Sequence, residues 1–411
     1  MQVLELENFH SIRERQVIDL RVAANVPDPE NRFAKIPGGR VPRVVSIFGP
    51  NAAGKSTVLR GLALIAWFVQ HSFHLDPGGA LPLDPFATHD MAAKPTILAI
   101  RFKGPRELGV ASMEDHTSKA SATGSMLSSV PYRYEVAFRN VAGQPSIVLH
   151  ERLDFWPSVQ GRSHSVFKRD AQGNVSGSSS FPLTRIGPVL QTIRPNASVI
   201  STLSQFNHPQ ALALRAVASN IFSNILVERQ DLTDKDAVRF YAENPGSLAE
   251  LNDVLERLDV GIRQVSLAQG PQGTTFVFEH KGLDFKLPMF QESNGTRAFL
   301  KIFPAIHAAL MTGGLAVIDE LDLAIHPLVM PEIFSWFTNA DRNTKDAQLW
   351  FTCQNAAVMD FLDKEEIFLC EKDRHGGTEV FGLRDMKAVR RSEVFSKKYL
   401  GGVYGAVPRF G

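Results

Sequence analysis

Three groups of residues in this chain have the types and spacing to do chemistry. The first is Gly49-Pro50-Asn51-Ala52-Ala53-Gly54-Lys55-Ser56, followed directly by Thr57. Two glycines frame a short loop that ends in a lysine and a hydroxyl. Glycine lets successive backbone N–H groups turn inward on phosphate oxygens, and a helix starting at the loop's end adds its partial positive charge. In such a loop Lys55 reaches the β- and γ-phosphates of a nucleotide, and the Ser56 hydroxyl is placed to coordinate Mg²⁺. The second group is Asp319-Glu320, at the end of the apolar run Leu315-Ala316-Val317-Ile318. Asp319 has the chemistry to hold Mg²⁺ as the acidic partner of Ser56, and Glu320 to polarise an attacking water. The third is Ser293-Asn294-Gly295, which taken alone is an ordinary helix cap.

The elements needed to position these groups are legible. The run Val44-Val45-Ser46-Ile47-Phe48 before the loop reads as a buried strand, and Thr57 to about Phe73 as the helix that follows. Four apolar residues ending in two acids describe a parallel strand whose C-terminal end carries carboxylates, the end where open α/β sheets bind ligands. Phe299, Ile302, Phe303, Ile306 and Leu310 recur at helical spacing, so Ser293 and Gly295 stand at a helix start. Alternation in Met1 to Phe9 and in Gln16 to Leu20 predicts two pairing strands; further strands are expected at 96–102, 132–138, 274–279, 348–355 and 367–370. Serine- and glycine-rich stretches near 110–130 and 158–180 read as loops, the second as a mobile one. From about 209 to 258 the pattern is helical, with one apolar face running from Leu212 to Leu226 and another from Leu248 to Leu258. The expected division is residues 1–155 as the N-terminal part of a nucleotide-binding domain, 156–270 as mobile loops and a helical insertion, and 271–411 as its C-terminal part. The fold class expected is α/β, a mixed β-sheet core with N-terminal antiparallel elements and that helical insertion.

Bulk composition narrows the classes. The 411 residues are 44% hydrophobic and 21% charged with a net charge of +1, which suits a soluble globular protein and gives no global signature of nucleic-acid binding. The two cysteines, Cys353 and Cys370, follow apolar runs and read as buried thiols. No signal peptide and no membrane-spanning run is evident, so a cytoplasmic location without membrane association is expected.

A phosphate loop, then Ser-x-Gly opening a helix, then Asp-Glu ending a strand is the order found in ABC-type ATPases, which this chain resembles. The resemblance implies an ATP- and Mg²⁺-dependent homodimer, in which Ser293 and Gly295 complete the nucleotide site of a second copy. It also marks Gln354, at the end of Gln348-Leu349-Trp350-Phe351-Thr352-Cys353, as standing where the family commonly has a switch histidine. Glutamine can hydrogen-bond a γ-phosphate but cannot shuttle protons, so slow hydrolysis is expected. The start Asn8-Phe9-His10-Ser11-Ile12 resembles the RecF, SMC and OLD branch. With Asp319-Glu320-Leu321-Asp322, His326-Pro327 and the tail Tyr399-Leu400-Gly401-Gly402-Val403-Tyr404-Gly405-Ala406-Val407-Pro408, the chain is most similar to standalone AAA-15/AAA-21-type (RloA/AbiLii-like) ATPases of prokaryotic anti-phage defence. Membership would imply a sensor and regulator of a separately encoded effector, often a nuclease, in abortive infection, with a nucleic acid or phage component as a possible partner. Glu371-x-Asp373 after the strand 367–370 invites a nuclease metal site, but a solvated strand end is the better reading, and no nuclease is expected within the chain. Two rivals stand beside this reading: a DNA-repair or chromosome-maintenance ATPase, and a non-catalytic scaffold held together by ATP.

Overall fold

The computed structural model describes residues 1–105, 129–141, 144–158, 161–184, 186–225, 227, 233–257, 261–270 and 273–408. The expected loop near 110–130 lies for the most part outside them. Strand β5 (Val44–Phe48) is the centre of the molecule and is buried at every position. Because side chains alternate across a strand, Val44 and Phe48 face one hydrophobic core, while Val45 and Ile47 face a second on the opposite side of the sheet. Strands β15 (Leu315–Ile318) and β16 (Gln348–Thr352) divide in the same way, with Ala316, Ile318, Leu349 and Phe351 in the first core and Val317 and Trp350 in the second. Continuous apolar runs such as these are what a sheet covered on both faces requires.

This central sheet runs β11 (Ile221–Ser223), β15, β16, β5, β17 (Ile367–Lys372), β18 (Thr378–Gly382); it is parallel except for the last pair. On one side lie helix α1 (Lys55–His71) and an antiparallel sheet. The antiparallel sheet has the order β10 (Val175–Gly177), β9 (His164–Arg169), β8 (Ile147–Phe155), β7 (Ser129–Arg139), β6 (Thr96–Pro105), β1 (Val3–Glu7), β2 (Gln16–Asp19). A short hairpin, β3 (Phe33–Ile36) with β4 (Gly39–Pro42), and the one-turn helix α2 (His89–Ala92) lie in the connections. Helices α3 (Gly187–Leu190), α4 (Val199–Gln205) and α5 (Pro209–Ser219) lead back to the central sheet, and α4 and α5 pack on α1.

The other side is built from α6 (Asp234–Glu243), α7 (Pro245–Arg257), a small sheet β12 (Ile262–Gly270), β13 (Gly273–His280), β14 (Leu287–Pro288), and α8 (Asn294–Thr312). The one-turn α9 (Leu321–Ala324), α10 (Met330–Thr338) and the terminal α11 (Phe395–Leu400) complete it. The outer edge of β12 is covered by α7, whose Asn252 side chain binds both the N–H (2.6 Å) and the C=O (3.0 Å) of Val265.

Two expectations need correction. The stretch 158–180, read as a mobile loop, forms β9 and β10, which extend the antiparallel sheet from β8. Buried Val166 and Phe167 hold it there, while its Ser/Gly content marks only the turns and the edge. The helix read from Leu212 towards Leu226 stops at Ser219, and Ile221–Ser223 becomes strand β11 beside β15. Leu212, inside α5, is 41% exposed, and the buried face of that helix is carried by Ala211 and Leu214 instead. The second helical face is as expected, with Leu251, Val254 and Leu255 in the core; Leu226 and Leu258 lie outside the described residues.

Candidate functional site

The loop after β5 has the backbone that its glycines allow. Gly49 (φ 152°), Ala52 (φ 63°) and Gly54 (φ 106°) all lie at positive φ. Space is equally restrictive. A Cβ at Gly49 would stand 2.3 Å from the Cys370 carbonyl oxygen, and one at Gly54 would stand 2.1 Å from Thr378 Oγ1. Helix α1 begins immediately, with Thr57 N–H (3.0 Å) and Val58 N–H (3.3 Å) donating to the Gly54 carbonyl. The loop's underside rests on the hairpin β17–β18 and on the N-terminal segment. Thr378 Oγ1 donates to the Ala53 carbonyl (2.7 Å), and the Ser11 and Thr57 hydroxyls are 2.9 Å apart. The Asn-Phe-x-Ser-Ile start therefore has a structural task, because Ser11 supports the phosphate loop from below. Among the described residues the Ser56 hydroxyl has no hydrogen-bond partner.

Lys55 is buried and spans the loop, its ammonium donating to the carbonyls of Gly49 (2.8 Å) and Pro50 (3.0 Å). Burial lowers its pKa, against the opposing attraction of Cys370 and of the carboxylates of Asp319, Asp322 and Glu320. One ammonium thus sits in the field of three carboxylates. Such a site has more negative charge than it can balance by itself, and hard oxygen donors are what Mg²⁺ selects.

Asp319 and Glu320 stand at the C-terminal end of β15, as expected, and buried Thr352 at the end of β16 holds both. Its hydroxyl donates to Asp319 Oδ1 (2.5 Å) and accepts the Glu320 N–H (2.7 Å). Asn224, just after β11, clasps Asp319 from the other side: it accepts the aspartate N–H (2.8 Å) and donates to its carbonyl (3.1 Å). Glu320 is exposed and adopts φ 54°, a left-handed conformation unusual for glutamate. The Gln354 carboxamide reaches it at 3.3 Å. The Asp322 carboxylate accepts the N–H groups of Gln354 (2.9 Å) and Asn355 (3.0 Å) through one oxygen, while its other oxygen is buried without a partner. The parallel order β15, β16, β5 therefore brings Lys55, Asp319, Glu320 and Gln354 to one edge of the sheet. Ser56 Oγ, which has no partner among the described residues, and the Asp319 carboxylate at the strand end are hard oxygen donors of the kind a Mg²⁺–nucleotide takes.

Ser293 and Gly295 are not part of that cluster. Ser293 caps α8, accepting the Thr296 N–H at 3.0 Å, is exposed, and has no hydrogen bond to the phosphate loop among the described residues. The start of α8 is held from several sides. Glu292 is bonded to His280 of β13, and Asp234 of α6 pairs with Arg297 (2.6 Å) and Lys301 (2.8 Å). Glu371 and Asp373, read as a solvated strand end, are both half-buried and take backbone partners. Glu371 accepts the Ala406 N–H (2.9 Å) and anchors the tail, and Asp373 accepts the N–H groups of His375 and Gly377 (both 2.7 Å) in the β17–β18 turn. Among the described residues no cluster of three or more His, Cys, Asp or Glu is suited to hold a metal.

Sequence reasoning missed Thr352, Asn224 and Asp322 as site residues. Thr352 and Asn224 are a buried hydroxyl and a loop amide far along the chain from Asp319; no motif announces Asn224, and the signal for Thr352 was its place two residues before Gln354. Asp322 lies inside the quoted Asp-Glu-Leu-Asp segment, which was the available signal.

A model of the family described as AAA domain, putative AbiEii toxin, type IV TA system matches residues 44–360. Among solved structures the chain is similar to an SMC head domain from Thermotoga maritima, at 13% identity over 93% of this chain and 98% of that one, with a TM-score of 0.39. It is also similar to an SMC head bound to the C-terminal winged-helix domain of ScpA (14% identity, 93% and 98% covered, TM-score 0.45). A third is the SMC head with an extended coiled coil, bound to the C-terminal domain of ScpA, from Pyrococcus furiosus (15% identity, 98% of each chain, TM-score 0.39). The comparison with curated proteins found no match. No helix among the described residues is long and apolar enough to cross a membrane.

Proposed function

The chain belongs to the family described as AAA domain, putative AbiEii toxin, type IV TA system, and on that premise we propose that it is an ABC-type P-loop ATPase of the RecF/SMC branch that binds and slowly hydrolyses ATP as a homodimer. The observation that carries this reading is the meeting of Lys55, Asp319, Glu320 and Gln354 at one sheet edge while Ser293 stands apart, exposed at the start of α8. In this reading the Gly49–Thr57 loop wraps the phosphates with its backbone N–H groups, and Lys55 exchanges its two carbonyl partners for phosphate oxygens. Ser56 and Asp319 hold Mg²⁺, which when bound offsets the phosphate charge. Glu320 takes the proton of the attacking water, and Gln354 steadies that water and the terminal phosphate. Ser293 and Gly295 meet the nucleotide of the second copy. The exposed apolar side chains beside both halves support a shared interface: Leu323 (63%) and Leu328 (76%) follow Glu320, and Phe290 (77%) precedes Ser293.

We further propose that the two nucleotide states regulate a separately encoded effector, a nuclease by preference, in anti-phage defence in the cytoplasm. The family description names a putative toxin and a type IV TA system, which supports a two-component arrangement. A second reading, ATP as a ligand that only holds subunits together, is favoured by Gln354, which cannot carry a proton where an imidazole could. One measurement separates the two. Under the ATPase reading purified protein releases phosphate from Mg²⁺–ATP and Lys55→Ala releases none; a rate no higher than that of Lys55→Ala would select the scaffold.

A further inference from the structure

A cleft of about 620 Å³ lies at the far edge of the antiparallel sheet, between the β9–β10 hairpin and α3. It is remote in sequence from every residue of the nucleotide site. Its polar lining is Arg139, Arg169, Gln172, Asn174 and Gln191, and no carboxylate is among its described lining residues. Arg139 is exposed and has no hydrogen-bond or ion-pair partner among the described residues. Arg169 is only 3% exposed, and its guanidinium donates to two neutral carbonyls, those of Ala197 (2.6 Å) and Arg194 (2.9 Å). The nearest acids are engaged elsewhere. Asp170 closes the hairpin turn: one oxygen accepts from the N–H groups of Gln172 (3.0 Å) and Asn174 (2.9 Å), and the other takes the Asn174 carboxamide (2.9 Å). Glu151 accepts from Tyr134, Ser198 and Val199 behind the cleft wall. Two guanidiniums without direct carboxylate partners, flanked by the carboxamides of Gln172 and Gln191 and an apolar side at Val175, make a receptor for an anion with an organic body.

The wall of the cleft is connected to α1. Arg169 binds the Arg194 carbonyl, and the Arg194 guanidinium in turn binds the carbonyls of Phe73 and Leu75 and lies over the Phe73 ring, just beyond the end of α1. Ser198 N–H reaches Ser72 Oγ at 2.9 Å. Helix α1 begins at Lys55.

We propose that this cleft is a second ligand site, for a small phosphorylated molecule, and that its occupancy is passed through Arg194 to α1 and the phosphate loop. The binding half does not depend on the proposed ATPase activity; the relay half rests on it. The test uses the full chain carrying Lys55→Ala, so that the phosphate loop contributes little, titrated calorimetrically with 5′-AMP, inorganic pyrophosphate and adenosine. AMP and pyrophosphate are expected to bind saturably and adenosine not at all. Arg139→Glu and, separately, Gln191→Glu should each weaken both ligands by at least about tenfold, since each puts a carboxylate beside the anion. No saturable binding by either ligand, or binding indifferent to both substitutions, would overturn the site. In the chain with Lys55 intact, AMP should shift ATP turnover and Arg139→Glu should abolish the shift. Turnover that responds to AMP equally with and without Arg139→Glu, or not at all, would overturn the relay.

Discussion

Thr352 governs the acidic half of the site more than either acid does. Its one hydroxyl fixes the Asp319 carboxylate and the Glu320 backbone together, so the two acids share a single positioning atom. Thr352→Val keeps the shape of this buried position and removes that atom. It leaves a backbone N–H and a carboxylate oxygen short of a partner, a loss worth roughly 1–3 kcal/mol of stability. It should also lower ATP turnover by about tenfold or more, because a misplaced catalytic group loses rate steeply. Denaturant unfolding and phosphate release check the two parts. If both are unchanged, Thr352 does not position the acids. At this scale the sequence was legible where chemistry is local. Gly49, Gly54, Lys55 and Ser56 constrain one another within a single turn, and two acids at the end of an apolar run point outward by geometry. It was less legible where a partner arrives from far along the chain: Asn224 and Thr352 lie 95 and 33 positions from Asp319, nothing around Asn224 marks it, and Thr352 is marked only by standing two residues before Gln354.

At the scale of elements, α8 carries both the Ser293 cap and an internal proline. Pro304 has no N–H to give to the Leu300 carbonyl one turn earlier, which would leave that acceptor unsatisfied in the core. The Tyr241 hydroxyl of α6 supplies the missing donor at 3.0 Å. The insertion helices are thus bound to α8 through Tyr241 as well as through Asp234, and they set how the start of α8 is presented. Tyr241→Phe keeps the packing but orphans the carbonyl, and should cost about 1–3 kcal/mol in an unfolding experiment, against nearly nothing if water can replace the hydroxyl. Periodicity predicted α1, α7, α8, β5, β15 and β16 because each is long or uniformly apolar. It failed for β9, β10 and β11, which are short strands whose only support is a neighbour already in place. A three-residue strand such as β11 has no pattern of its own, and only its pairing with β15 defines it.

At the scale of the whole molecule, the central sheet separates two cores, and the end opposite the nucleotide site holds an unusual charge. Glu366 is buried beside Arg32 (2.7 Å), and burial pushes its carboxyl up to about 7, against the pull of that arginine. Its folded pKa is thus above its unfolded value of about 4.5. The folded state holds the proton more tightly, so this group's contribution to stability is present in full below the unfolded value. It is lost as pH rises through the window up to about 7. The melting temperature should therefore fall between pH 5 and pH 7.5 more steeply in the unmutated chain than in Glu366→Gln. Equal slopes would show that Glu366 is ionised throughout. The same sheet places Lys55, Asp319, Glu320 and Gln354 at its other end, with Ser293 exposed and apart from them, and the proposed function has a second copy supply that missing half. The most direct test is Glu320→Gln, sized by sedimentation with saturating Mg²⁺–ATP and assayed for phosphate release. We expect turnover to fall by about 10²–10⁴-fold with ATP still bound, and the protein to accumulate as a dimer that Ser293→Arg disperses. A Glu320→Gln protein that stays monomeric in ATP and turns it over at the unmutated rate would contradict a shared catalytic site.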